Sequence, residues 1–268
     1  MTQLPYRAVI VDLDRTLLRT DKSISGYTRQ VLCEWEARGS RLYAATARPE
    51  RAIGEYRRII PFRSVVTLNG ARIITPAGVA ENPVSPDSAA FLLEQLCRIE
   101  GAVISVETGN GIYANTDIPD WQPKVMEDVR ILPESEKIYK ILASHPSMKT
   151  DVLTIEAPED VYSTVAEQTL IQYMSRNATK WNGIRLALQE DRIPAEQAIC
   201  FGDDNDDIEP IRMCGCGVAV SNALEEVKRI ADAVADSNDS DGVAKYLAGL
   251  LQYEKRCPAE KGIEAMKK

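Results

Sequence analysis

The chain has 268 residues, of which 44% are hydrophobic and 27% charged, with a formal net charge of -8 and a pI near 5.0. This composition is ordinary for a globular protein and too acidic for a surface that neutralises a nucleic-acid backbone. No apolar run approaches the ~18 residues of a membrane span, and the N-terminus lacks the apolar core of a signal peptide. Six cysteines, at 33, 97, 200, 214, 216 and 257, form neither a CxxC pair nor a disulfide-like spacing. Reduced thiols in a cytoplasmic protein are therefore expected. The length suits one large domain or a main domain with an insertion.

Ala8-Val9-Ile10-Val11 is a continuous apolar run, which suits a strand covered on both faces, and it ends in Asp12 and Asp14. Ser25 can cap a helix whose apolar positions Tyr27, Val31 and Trp35 recur every four residues, with Gly39 ending it. A second strand spans Arg41 to Ala45, followed by Thr46-Ala47-Arg48. Pro49 is placed to begin a helix that runs to about Ile60. Ser64 to Leu68 makes a third strand, ending in Asn69-Gly70. Strands separated by helices, each ending in polar residues, predict a parallel sheet whose carboxyl edge collects a site.

The rhythm then changes. Ser85-Pro86 opens a helix carrying Leu92, Leu96 and Ile99, and strands of a more antiparallel kind follow at Ala102 to Glu107, Ile112 to Asn115 and Lys137 to Ala143. A helix is expected from about Pro158 to Gln168, then a strand from Thr169 to Ser175. From Lys180 the first rhythm resumes. A helix carries Ile184, Ala187 and Leu188, and the strand from Ala198 to Phe201 leads into Gly202-Asp203-Asp204-Asn205-Asp206-Asp207. Short strands at Gly217 to Val220 and Ala233 to Ala235 and helices at Leu224 to Ala231 and Asp241 to Leu251 complete the block. The expected fold is α/β, a Rossmann-like parallel-sheet core over 1–75 and 179–252 with an inserted α+β domain over 76–178. A charged tail occupies 253–268.

Four separated pieces combine into a metal and phosphate site. Asp12 and Asp14, two apart on extended chain, can point the same way and share a ligand, and their mutual repulsion calls for a divalent cation. An aspartate there can attack phosphorus and split a slow hydrolysis into two easier steps. Thr46 offers a hydroxyl to a phosphoryl oxygen, Lys180 supplies positive charge, and Asp203 and Asp207 add carboxylates of the kind magnesium takes.

In this order the pieces resemble the haloacid dehalogenase (HAD) superfamily, and within it the Cof-type sugar-phosphatase group with a large cap inserted after the third strand. Asp12-Leu13-Asp14-Arg15-Thr16, Thr46-Ala47-Arg48, Lys180 with Gly183 to Leu188, and Gly202 to Asp207 match its four motifs, and Asn69-Gly70-Ala71 matches a turn common in that group. The resemblance implies that Asp12 is the nucleophile and that Asp14 is the general acid and then the base. It implies a Mg2+ ion held by Asp12, the carbonyl of Asp14 and Asp203, with Asp207 supporting its water shell. Thr46 and Lys180 would bind the phosphoryl group, Asn69 would approach it, and the cap would select the leaving group. The implied partner is a small phosphorylated metabolite, with neither nucleic acid nor membrane involved.

Arg15 and Ala47 stand where that family usually has glycine, and Asp206 where it has asparagine. A phosphosugar mutase and a catalytically weak ligand-binding regulator are the alternatives to a phosphatase, the latter motivated by Arg15 and Asp206. His145 is the only histidine, which excludes multi-histidine metal centres. Cys214-Gly215-Cys216 reads as packing at a glycine turn, and Gly109-Asn110-Gly111 as a hairpin turn.

Overall fold

A computed structural model describes residues 4–166 and 169–256. In chain order its strands are β1 (Ala8–Val11), β2 (Arg41–Ala45), β3 (Ser64–Thr67), β4 (Arg72–Thr75), β5 (Gly78–Glu81), β6 (Val103–Thr108) and β7 (Gly111–Ala114). They continue with β8 (Lys124–Val125), β9 (Ile138–Ser144), β10 (Val161–Ala166), β11 (Leu170–Ser175), β12 (Ala198–Gly202), β13 (Cys216–Val220) and β14 (Ala233–Ala235). The helices are α1 (Gly26–Ala37), α2 (Gly54–Ile59), α3 (Pro86–Cys97), α4 (Lys180–Glu190), α5 (Ile208–Met213), α6 (Glu225–Ile230) and α7 (Gly242–Arg256). By its contacts the chain divides into two compact units, Met1–Ala80 with Thr179–Lys268, and Glu81–Ala178.

The first unit is built on a sheet of order β14-β13-β12-β1-β2-β3-β4-β5. β1 lies in the middle, parallel to β2 on one side and β12 on the other, with Ala8 opposite Arg41 and Ala198. All four β1 side chains are buried, as the unbroken apolar run requires of a strand with both faces covered. Trp35 of α1, Ile184 and Leu188 of α4, Phe201 of β12 and Leu247 of α7 belong to the same core. Ser25 caps α1 by accepting the Thr28 N–H, and Thr179 caps α4 by accepting that of Asn182.

The second unit has a six-stranded sheet of order β10-β11-β9-β6-β7-β8. Its β6, β7, β9, β10 and β11 pair antiparallel. Leu92, Leu93 and Leu96 of α3 pack in one core with Ile104, Val106, Ile141 and Tyr173.

Two local expectations are corrected. Residues 161–166 form β10 instead of a helix, because Val161-Tyr162-Ser163-Thr164-Val165 is β-branched and aromatic and pairs with β11 along its length. Residues 167 and 168 of that expected helix lie outside the described residues. The segment after Pro49 is a short turn over Glu50–Ala52 and then α2, which begins only at Gly54, while Pro49 itself remains extended. The hairpin β4 and β5 was not expected, and it joins the core sheet, so residue 76 falls between its two strands. α7 continues to Arg256, and the rest of the expected tail lies outside the described residues. No helix among the described residues is long and apolar enough to cross a membrane.

Candidate active site

The site lies where β1 and β12 end side by side. Asp12 follows β1, and its backbone N–H donates to Phe201 O at 3.0 Å, which ties the end of β1 to β12. A wide turn then begins, in which Leu17 N–H donates to Asp12 O and Leu18 N–H to Leu13 O. Within this turn Arg15 has φ +59°, a left-handed conformation that costs a residue with a side chain about 1 kcal/mol or more. Asn222 pins it, its Nδ2 donating to Arg15 O at 2.7 Å.

Asp12, Asp203 and Asp207 are buried, and oxygens of their three carboxylates lie within 4.8 Å of one another. Lys180, the first residue of α4, brings its ammonium between two of them, 2.8 Å from Asp12 Oδ1 and 2.7 Å from Asp207 Oδ1. The other oxygen of Asp207 accepts the N–H groups of Asp203 and Asp204, so the loop after β12 folds around that carboxylate. Gly202 makes room for it, because a Cβ there would lie 2.3 Å from Asp207 Cβ. Thr16 donates its hydroxyl to Asp203 Oδ1 at 2.8 Å.

Charge in this cluster is unbalanced. Burial pushes the Asp12 carboxyl well above the usual range, Lys180 opposes that, and Asp207 and Asp203 add to it. Asp203 is pushed up to about 6, chiefly by burial, against the pull of the Thr16 hydroxyl. Burial alone would lower the Lys180 ammonium, but Asp12, Asp207 and Asp206 raise it well above its ordinary value. One buried lysine thus faces three buried carboxylates.

Asp14 stands apart from this cluster. Its carboxylate accepts Nε and Nη2 of Arg48 at 2.6 and 2.7 Å and Nζ of Lys22 at 2.7 Å. Thr46 is buried at the end of β2, where its backbone N–H donates to Val66 O and its Oγ1 accepts the Arg48 N–H. Asn69, at φ +52°, donates Nδ2 to Asp206 Oδ2 at 2.5 Å, and its buried Oδ1 has no partner among the described residues. The neighbouring Gly70, at φ +97°, passes so close to α4 that a Cβ would lie 2.1 Å from Thr179 O.

The structure therefore brings Asp12, Lys180, Asp203 and Asp207 into one contact network, while the Asp14 carboxylate joins Arg48 and Lys22, and Asn69 joins Asp206. Sequence reasoning assigned no role to Thr16, Lys22 or Arg48. Arg48 carried a signal in its position two residues beyond Thr46 at a strand end. Lys22 carried none. His145 lies in the second unit, with ring nitrogens against Ser147 Oγ and Glu100 O.

A family model described as haloacid dehalogenase-like hydrolase matches residues 9–247. The 5-amino-6-(5-phospho-D-ribitylamino)uracil phosphatase YitU of Bacillus subtilis (strain 168) is 25% identical over 269 residues, covering 92% of this chain and 98% of that protein. Among solved structures, a haloacid dehalogenase-like hydrolase from Bacteroides thetaiotaomicron has a TM-score of 0.80 at 22% identity, covering 91% of this chain and 99% of that one. A HAD subclass IIB sugar phosphatase has a TM-score of 0.75 at 21% identity with the same coverage. Both structural likenesses speak for the fold alone. Matched by the family model over most of its length, the chain belongs to the haloacid dehalogenase-like hydrolase family.

Proposed function

We propose that this chain is a magnesium-dependent phosphatase that hydrolyses a small phosphomonoester, a sugar phosphate or a similar metabolite, through an aspartyl-phosphate at Asp12. The observation that carries this reading is Asp12 itself, buried at the end of the central strand with Lys180 at 2.8 Å and two further carboxylates beside it. Phosphatase activity in the name of YitU and a sugar phosphatase among the structural neighbours support the reaction class.

A divalent cation fits these residues, because three buried carboxylates exceed the charge of one lysine and offer only oxygen donors. Asp12, the carbonyl of Asp14 and Asp203 are assigned as its protein ligands, with Asp207 behind them. When bound, the ion offsets the negative charge shared by the carboxylate nucleophile and the phosphoryl oxygens.

In the first step an Asp12 oxygen forms a bond to phosphorus as the bond to the leaving oxygen breaks, with Thr46 and Lys180 holding phosphoryl oxygens. Asp14 gives a proton to the leaving oxygen. In the second step Asp14 takes a proton from the water that attacks the aspartyl-phosphate, and inorganic phosphate and Asp12 are released. The grip of Arg48 and Lys22 keeps Asp14 ionised, the form the second step uses. The first step therefore requires that grip to loosen and Asp14 to take up a proton from solvent before passing it to the leaving oxygen. Selection of the leaving group is assigned to the inserted unit, since Asp12, Thr46 and Lys180 address features common to every phosphomonoester. Cytoplasmic residence belongs to this reading and is supported by the free thiols of all five described cysteines.

The test is phosphate release from a panel of small phosphomonoesters, with and without Mg2+, by the native chain and Asp12→Asn. Metal-dependent release that the substitution abolishes is expected. Release that survives Asp12→Asn would overturn the aspartyl-phosphate route.

A further inference from the structure

Among the described residues at this sheet edge, Arg15 is a cation most of whose donors remain available. The Lys180 side chain is 4% exposed and engaged with Asp12 and Asp207. Arg48 holds Asp14 from two nitrogens, and Lys22 holds the same carboxylate. The Arg15 side chain, by contrast, is 65% exposed, and its Nε lies 3.7 Å from Asp203 Oδ2, beyond hydrogen-bond reach. Its one hydrogen bond among the described residues runs from Nη2 to Asn222 O, at 3.5 Å. A guanidinium has five N–H donors, so most of its capacity is unused.

The backbone makes this placement notable in energetic terms. Arg15 sits at φ +59°, in a turn that a glycine would form without strain. A strained residue beside a site points to a role for its side chain outside the turn.

We propose that Arg15 binds a second oxyanion, a carboxylate or a phosphate, on the leaving group, so that the chain favours phosphomonoesters with two anionic groups over those with one. The inference rests on the phosphatase reading of the site. Burial distinguishes the two anions. Asp12, Thr46 and Lys180, which are assigned to the transferring phosphoryl group, are buried, whereas Arg15 stands outside them next to Asp203. The part of a substrate that meets Arg15 is therefore the part that projects from the buried cluster. The planar fork of a guanidinium matches a carboxylate or a phosphate through two parallel hydrogen bonds.

Binding of two matched ligand pairs tests this in the presence of Mg2+, with Asp12→Asn as background to block turnover. 3-Phosphoglycerate and glycerol 3-phosphate differ by a carboxylate, and fructose 1,6-bisphosphate and fructose 6-phosphate by a second phosphate. Titration calorimetry is expected to show a preference for the more anionic member of at least one pair. Arg15→Gln should shrink that preference about fivefold, the scale of an exposed ion pair, and Arg15→Lys should retain part of it. The pair that responds identifies the oxyanion. Equal affinities within both pairs, a preference that Arg15→Gln leaves unchanged, uniform weakening of all four ligands, or failure of all four to bind would each overturn the proposal. Absence of phosphate release by the native chain would overturn the phosphatase reading alone, since the affinity ratios do not depend on turnover.

Discussion

Arg48 grips Asp14 through two nitrogens of its guanidinium, with Nε 2.6 Å from one carboxylate oxygen and Nη2 2.7 Å from the other. Partial burial would raise this carboxyl, but the hydrogen bonds of Arg48 and Lys22 prevail and hold it at about 2. The folded value is depressed, so the pairing stabilises the fold above the unfolded value, about 4, and that contribution is lost as pH falls towards 2.

Arg48→Gln should release Asp14 towards the ordinary carboxylate range. We expect the acid limb of the kcat profile to move to higher pH and kcat to fall about tenfold, less than the roughly hundredfold or more that a positioned general acid–base group contributes, since Asp14 itself is retained. Steady-state kinetics across pH would check this. An unmoved acid limb would detach Asp14 from proton transfer.

Asp203 gives the opposite sign. Its carboxyl is raised to about 6, so between the unfolded value and 6 the folded state binds more protons than the unfolded one. Stability of the metal-free chain then falls as pH rises through that window, by up to about 3 kcal/mol. Added Mg2+ should offset this loss once Asp203 is ionised. Scanning calorimetry should find a larger gain in Tm from Mg2+ at about pH 7.5 than at about pH 5, and equal gains would contradict it.

Much of this was legible from residue order, for stated reasons. The apolar run before Asp12 suited a doubly covered strand, and the acidic cluster after Phe201 lay at the end of another. The helix expected from about Pro158 to Gln168 gives way to β10, because Val161, Thr164 and Val165 favour a strand that only its β11 partner makes visible. The hold of Lys22 and Arg48 on Asp14 is a contact between side chains on two loops, the one after β1 and the one after β2, which no local pattern encodes. Asn69 was expected to approach a phosphoryl group, and its amide donates to Asp206, the acidic residue that departs from the family pattern.

That pairing leads to a third prediction. Asp206 contributes to the negative field on Lys180 and, in the proposed complex, would also repel a phosphate dianion. Asp206→Asn should lower KM for a phosphomonoester about threefold, a change of roughly 0.6 kcal/mol, typical of a part-exposed charge. Initial-rate measurements would read it, and a raised KM would mean that Asp206 acts through Asn69 to hold the site in shape.

The space left by Gly202 supports a fourth. A Cβ there would collide with Asp207 at 2.3 Å and displace the carboxylate that anchors both Lys180 and the loop after β12. Gly202→Ala should weaken Mg2+ binding by at least about tenfold, as loss of a supporting group around a metal does. Calorimetric titration with the metal would reveal it, and unchanged affinity would remove Asp207 from the assigned site.

The position of β1 between β2 and β12 has a consequence for how the protein comes into being. Lys180 follows Asp12 168 residues later in the chain, and the neighbouring strand β12 later still. β1 can align with β2 across a short stretch of chain, whereas its other edge must wait for a long loop to close. During synthesis the first aspartate therefore leaves the ribosome long before the residues that would make it reactive. A nascent or truncated chain ending before α4 carries Asp12 without Lys180 or the carboxylates after β12, so the proposed site can assemble only after β12 and the loop behind it have been made.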